Sequence, residues 1–167
     1  MKKFLKEWWF VPVSLVFVAA IFVSGFRICI TVGESMVPTL HDGELLTMTT
    51  KPDKIERYDI IVFKKNGENN FIKRVIGLPG ERIQIINNDI YINGKKIKDS
   101  VDIKMEDCGI LKNEITLGQD EYFAMGDNRN NSYDCRKLGP VKANEITGKI
   151  MRRIPSFNTI EREENNE

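Results

Sequence analysis

The chain has 167 residues, about the length of one domain. Its 25 Lys and Arg against 24 Asp and Glu leave a net charge of +1. No basic block with interleaved aromatics occurs, so nothing argues electrostatically for nucleic acid.

The first element in chain order is apolar. Trp8–Phe26 holds 19 residues without a charge. At about 1.5 Å per residue a helix of this length nearly covers the ~30 Å hydrocarbon core. Lys2, Lys3 and Lys6 precede it, and Trp8 and Trp9 suit an interface. The expectation is therefore a short cytoplasmic N-terminus over 1–7 and one transmembrane helix over 8–26. An extracytoplasmic domain over 27–160 follows, then a disordered acidic tail over 161–167. A cleaved signal peptide is the rival reading, but no small-residue cleavage site ends the run. A core helix is the third.

Beyond the span, short β-branched runs alternate with turns. Strands are expected at 44–48, 59–63, 71–76, 82–86 and 121–125, with a hairpin over Asn93-Gly94 across 89–97. His41-Asp42-Gly43, Asn66-Gly67 and Leu78-Pro79-Gly80 punctuate them. No helical period stands out after residue 27, apart from a short turn starting at Val37-Pro38. The expected class is an all-β domain built from an antiparallel sheet. Of Cys29, Cys108 and Cys135, only the last two are a pair to test, and free thiols are the simpler expectation. No Cys/His cluster has metal-ligand spacing.

Three segments carry chemistry. Ser35 lies in Gly33-Glu34-Ser35-Met36-Val37-Pro38-Thr39-Leu40, where Gly33 and Pro38 favour a corner. A serine there is a weak nucleophile until something takes its proton, and from this segment alone a surface-loop serine is the better reading. His41, the one histidine, is near in sequence only, and a solvated turn residue is its simpler identity. Lys73 sits in Phe71-Ile72-Lys73-Arg74-Val75-Ile76, on the strand face of Phe71 and Val75. Desolvation there lowers a lysine pKa and can free a neutral amine. The alternative is two strand charges, one of them pointing outward. The third segment, Gly126-Asp127-Asn128-Arg129-Asn130-Asn131-Ser132-Tyr133-Asp134-Cys135-Arg136, also reads as a polar loop with internal ion pairs.

Taken together and in this order behind the apolar span, the three segments resemble bacterial type I signal peptidases, in a compact Gram-positive-like form. Tyr58-Asp59-Ile60-Ile61-Val62-Phe63 is similar to a strand that these enzymes carry between the serine and lysine segments. The likeness covers residues 8 to about 150. It implies a membrane-anchored serine endopeptidase with Ser35 as nucleophile and Lys73 as general base, a dyad in place of Ser-His-Asp. It implies that the Ser35 N–H serves the oxyanion, that Ser132 orients the lysine, and that Asp127, Asp134 and Arg136 support the loop. Met36, Phe71 and Ile72 would border the substrate. The implied substrates are preproteins with small residues one and three positions before the cut, held at membrane lipid. No metal and no organic cofactor is implied. The implied location is the cell membrane, single-pass, with the catalytic domain outside. Where some relatives have a serine donor two residues before the nucleophile, this chain has Gly33; Cys135 stands where serine is frequent. A related Ser–Lys maturation peptidase and a non-enzymatic anchored binding domain are the alternatives.

Overall fold

Runs that alternate apolar and polar residues bury one face when they pair, and here they pair antiparallel throughout. The computed structural model describes residues 10–16, 25–65, 67 and 70–155. In chain order the strands are β1 (Phe26–Ile30), β2 (Leu45–Thr49), β3 (Ile60–Lys64), β4 (Asn70–Gly77), β5 (Arg82–Ile86) and β6 (Asp89–Ile92). They continue with β7 (Lys95–Lys96), β8 (Ile115–Thr116), β9 (Glu121–Met125), β10 (Val141–Lys142) and β11 (Ile146–Ile154). A seven-stranded sheet runs β1-β2-β11-β3-β4-β9-β10, and a four-stranded sheet runs β7-β6-β5-β8. The mostly antiparallel β architecture expected from the sequence is present.

The expected strands lie within a residue or so of the observed ones. Asn93 and Gly94 both take positive φ, 51° and 75°, as a two-residue hairpin of the right twist demands. Asn87 and Asn88 do the same between β5 and β6, at 49° and 75°.

Four strands lie outside the sequence reading: the two-residue β8 and β10, and the longer β1 and β11. β11 is a central strand between β2 and β3, yet its register shifts between Ile146 and Gly148 and again between Ile150 and Arg152. Those irregularities break the alternation that reveals a strand. Gly148 has a packing reason: a Cβ there would collide with Met48 Cε and lie 2.8 Å from the Thr49 carbonyl oxygen. β1 begins at Phe26, the last residue of the expected membrane span, and pairs with β2. Residues 10–16 are helical. Most of the expected span, at 8–9 and 17–24, and the acidic tail at 161–167 lie outside the described residues. Among the described residues no helix is long and apolar enough to cross a membrane.

The main core joins the two sheets. Phe63, Val75, Ile76, Phe123 and Met125 of the larger sheet pack with Ile83 and Ile90 of the smaller one. A second cluster of Met36, Leu40 and Leu46, with Ile60, Ile72 and Ile150 against it, lies under the Ser35 loop. That loop is closed at its base. Thr31 N–H donates to the Glu44 carbonyl, and Gly43 N–H to the Thr31 carbonyl, at 2.9 and 3.0 Å.

Candidate active site

Ser35 sits on a corner whose shape follows from its neighbours. Met36 and Leu40 are buried in the small cluster, and Leu40 N–H donates to the Met36 carbonyl at 3.0 Å. Anchoring both sides leaves the intervening turn little freedom, and Ser35 faces a groove of about 590 Å³. Met36, Phe71, Ile72 and Lys73 line the same groove, as do Cys29 and Tyr133. His41 is not part of that lining.

Lys73 is carried in by β4 and is only 4% exposed. Its Nζ lies 2.7 Å from Ser35 Oγ and donates to the Ile72 carbonyl at 2.9 Å. Burial lowers its pKa to about 8, and the negative charge of Asp134 works against that lowering. An ammonium that loses water loses the stabilisation of its charge, so the neutral amine becomes accessible near neutral pH. A neutral Nζ has one lone pair, and at 2.7 Å the Ser35 hydroxyl can donate to it. The pair can therefore activate a hydroxyl without histidine.

Arg74 is not the outward charge of a pair, an alternative that the sequence left open. Its Nε and Nη2 grip Asp127 at 2.8 and 2.6 Å, and Nη1 donates to the Tyr58 carbonyl at 2.9 Å. Asp127 is fully buried.

The loop between β9 and β10 is held by a second buried pair. Arg136 donates to Asp134 through Nε at 3.0 Å and Nη2 at 2.9 Å. Gly126 N–H donates to Asp134 Oδ2 at 2.9 Å. Burial pushes the Asp134 carboxyl up, but Arg136 and the Gly126 N–H outweigh it and hold the group below its ordinary value. The Ser132 hydroxyl acts in the same direction on Asp134, though without hydrogen-bond geometry. Asp134 also caps the helical turn Cys135–Leu138. Arg129 is 1% exposed, pairs with Asp99 and donates to the Gly126 carbonyl at 3.0 Å.

Ser132 departs from the expected contact. Lys73 Nζ bonds Ser35 Oγ and the Ile72 carbonyl, while the buried Ser132 Oγ has no hydrogen-bond partner among the described residues. It lies against Gly126 instead: a Cβ on Gly126 would collide with Ser132 Oγ and stand 2.5 Å from the Ser35 carbonyl oxygen. Gly126→Ala should therefore displace the serine loop and cut cleavage by about 100-fold, as misplacement of reacting groups by about 1 Å does. Steady-state kinetics on a soluble peptide checks it; a variant within about threefold of wild type would mean that the loop yields at no cost.

The sequence reading gave no site role to Arg74, Asn128, Arg129 or Asp99. Asp99 carried no signal, because it lies outside the motif segments. Cys29, Cys108 and Cys135 are free thiols, and burial drives Cys135 to about 12.

The fold is an antiparallel β architecture with a groove that brings a serine hydroxyl against a buried lysine. The family model described as signal peptidase, peptidase S26, matches residues 2–154. Signal peptidase I of Bacillus caldolyticus is 39% identical, over 87% of this chain and 87% of its own length. Signal peptidase IB of Staphylococcus aureus is 32% identical, over 94% of this chain and 93% of its own. A crystal structure of a signal peptidase I from Enterococcus faecalis is 28% identical, covers 60% of this chain and all of that chain, and has a TM-score of 0.49. This chain belongs to the signal peptidase family, peptidase S26, and its activity is that of a serine protease acting on signal peptides.

Proposed function

We propose that this chain is a membrane-anchored endopeptidase that removes N-terminal signal peptides by a Ser35–Lys73 dyad. The observation that carries the reading is the 2.7 Å approach of Lys73 Nζ to Ser35 Oγ in a site that lowers the lysine pKa. Ser35 Oγ attacks the scissile carbonyl carbon while its proton passes to Lys73. The Ser35 N–H stabilises the oxyanion. The ammonium of Lys73 then protonates the leaving amine, and an acyl-enzyme ester remains. Water attacks the ester, its proton passes to Lys73, and the acid leaves with Ser35 restored.

Ser132, Asp127, Asp134 and Arg136 hold the geometry. Met36, Phe71 and Ile72 border the residues before the cut, which are small at positions −1 and −3. No metal or organic cofactor takes part. The apolar run that precedes β1 anchors the enzyme, with the N-terminus cytoplasmic and the catalytic domain outside. Purified full-length protein in lipid vesicles should process a radiolabelled preprotein, and Ser35→Ala should not. Full activity of Ser35→Ala would overturn the assignment.

The anchor has its own test. Fully extended, the chain from Phe26 to Ser35 spans only about 30 Å, so the nucleophile works close to the bilayer. Confinement raises effective concentration for a substrate held in the same bilayer. A protein starting at Arg27 should lose about 100-fold or more on membrane-held preprotein and under about threefold on a short soluble peptide. Equal losses on both would mean that the span supports folding instead of presentation.

A further inference from the structure

Asn128 has no role in the mechanism above, yet its side chain meets the peptide group on which that mechanism depends. Asn128 Nδ2 donates to the Glu34 carbonyl at 3.1 Å. Its backbone N–H donates to the Ser35 carbonyl at 3.0 Å. A carbonyl oxygen only accepts, so the amide atom facing Glu34 is the nitrogen. The Glu34 oxygen also accepts from Val37 N–H at 3.2 Å, which occupies both of its lone pairs.

The Glu34 C=O and the Ser35 N–H belong to one planar trans peptide and point in opposite directions. Drawing the carbonyl toward Asn128 therefore aims the Ser35 N–H the other way. Among the described residues that N–H has no acceptor, and Ser35 lines the groove. A donor on the carbonyl also draws charge through the peptide group and makes its N–H a stronger donor. Gly33 N–H, two residues before, is committed: it donates to Asp42 Oδ1 at 2.7 Å, and Gly33 brings no hydroxyl. The orientation of the Glu34–Ser35 peptide plane therefore matters for charge stabilisation at this corner.

Asn128 is itself held. Asp127 before it is gripped by Arg74, Arg129 after it donates to the Gly126 carbonyl, and Asn131 N–H donates to the Asn128 carbonyl at 3.0 Å.

We propose that Asn128 is a positioning residue for the oxyanion site: its side-chain amide sets and polarises the Glu34–Ser35 peptide whose N–H receives the developing negative charge. This rests on the reading of Ser35 as the nucleophile.

The test uses full-length wild type, Asn128→Ala, Asn128→Asp and Ser35→Ala in vesicles, with a cleavable peptide and a peptide boronic acid of the same sequence before the cut. Loss of a whole oxyanion donor costs about 10²–10³ in rate, and a disoriented donor costs part of that. Asn128→Ala and Asn128→Asp should lower kcat about 10- to 100-fold and hold KM within about twofold. They should weaken the boronic acid, whose tetrahedral adduct carries the charge, by the same factor as kcat/KM. The pH midpoint of kcat/KM should not move, because Lys73 is untouched. Unchanged kcat, a rise in KM alone, or a shifted midpoint would each overturn the proposal. If either variant fails to fold, Asn128→Gln replaces it: the longer stem moves the donor off the Glu34 carbonyl, so wild-type kcat there overturns the proposal too. Wild-type cleavage by Ser35→Ala would instead remove the dyad reading on which the proposal stands.

Discussion

Lys73→Met is expected to be inactive and at the same time harder to melt than wild type near pH 7. Removing one member of a catalytic unit that activates a nucleophile costs about 10⁴-fold or more in rate. The stability effect has the opposite sign for a physical reason. Burial holds the Lys73 pKa at about 8, against ~10.4 for a free lysine. Below about pH 8 both the folded and the unfolded chain carry the proton, and the folded chain bears the full cost of a desolvated ammonium. That cost is on the order of 3 kcal/mol, since every tenfold change in the protonation equilibrium corresponds to about 1.4 kcal/mol. Between about pH 8 and 10.4 the unfolded chain binds more protons than the folded one, so wild-type stability rises with pH across that window. An apolar side chain of similar length avoids the cost altogether. Calorimetry should find the Lys73→Met melting point several degrees higher at about pH 7, with the gap closing toward about pH 10. A lower melting point at neutral pH would contradict the burial argument. With Lys73 as the proposed base, the same pKa should govern the wild-type rate. The amine works as a base only when neutral, so kcat/KM should climb about tenfold per pH unit below about 8 and level off above it.

Asp134→Ala is expected to lose activity by removing a buried charge partner. Asp134 is fully buried and Arg136 is 4% exposed. Truncating the carboxylate leaves the Arg136 guanidinium uncompensated, although its bonds to the Asp107 and Arg129 carbonyls remain. Breaking such a pair from one side costs about 3–5 kcal/mol. The Gly126 N–H also loses its acceptor. Denaturant unfolding should register the loss, and Arg136→Met with the double variant should give a coupling well above about 0.5 kcal/mol. A milder change reads out the site itself. The Asp134 charge raises the Lys73 pKa, so residual activity in Asp134→Asn should show its acid limb displaced to lower pH. A limb that stays at about 8 would mean that Asp134 acts on the fold alone.

Much of the fold was legible because antiparallel strands write their own pattern. β3, β5 and β9 carry β-branched and aromatic residues between turn formers, and the Asn-Gly hairpin names its own geometry. β11 was not legible, since two register shifts erase the period of two. β1 was hidden for a different reason: Phe26 prolongs an apolar run that reads as one span, and only the ladder with β2 separates it.

The site divides the same way. Ser35 and Lys73 could be selected from the order of three motif segments, with no contact in hand. Residue types at short spacing were enough to set most of the strands and the turns. Which way β4 turns its charges was a matter of what packs on each face. The Ser35 loop lies against Lys73, and Asp127 takes Arg74. The position of Ser132 against Gly126, the link from Asn128 to the Glu34–Ser35 peptide and the pairing of Asp99 with Arg129 were all decided by packing. Such contacts form only when the loop between β9 and β10 closes against its neighbours. Buried ion pairs and close backbone approach depend on excluded water and on distances of a few ångströms, and a linear pattern encodes neither.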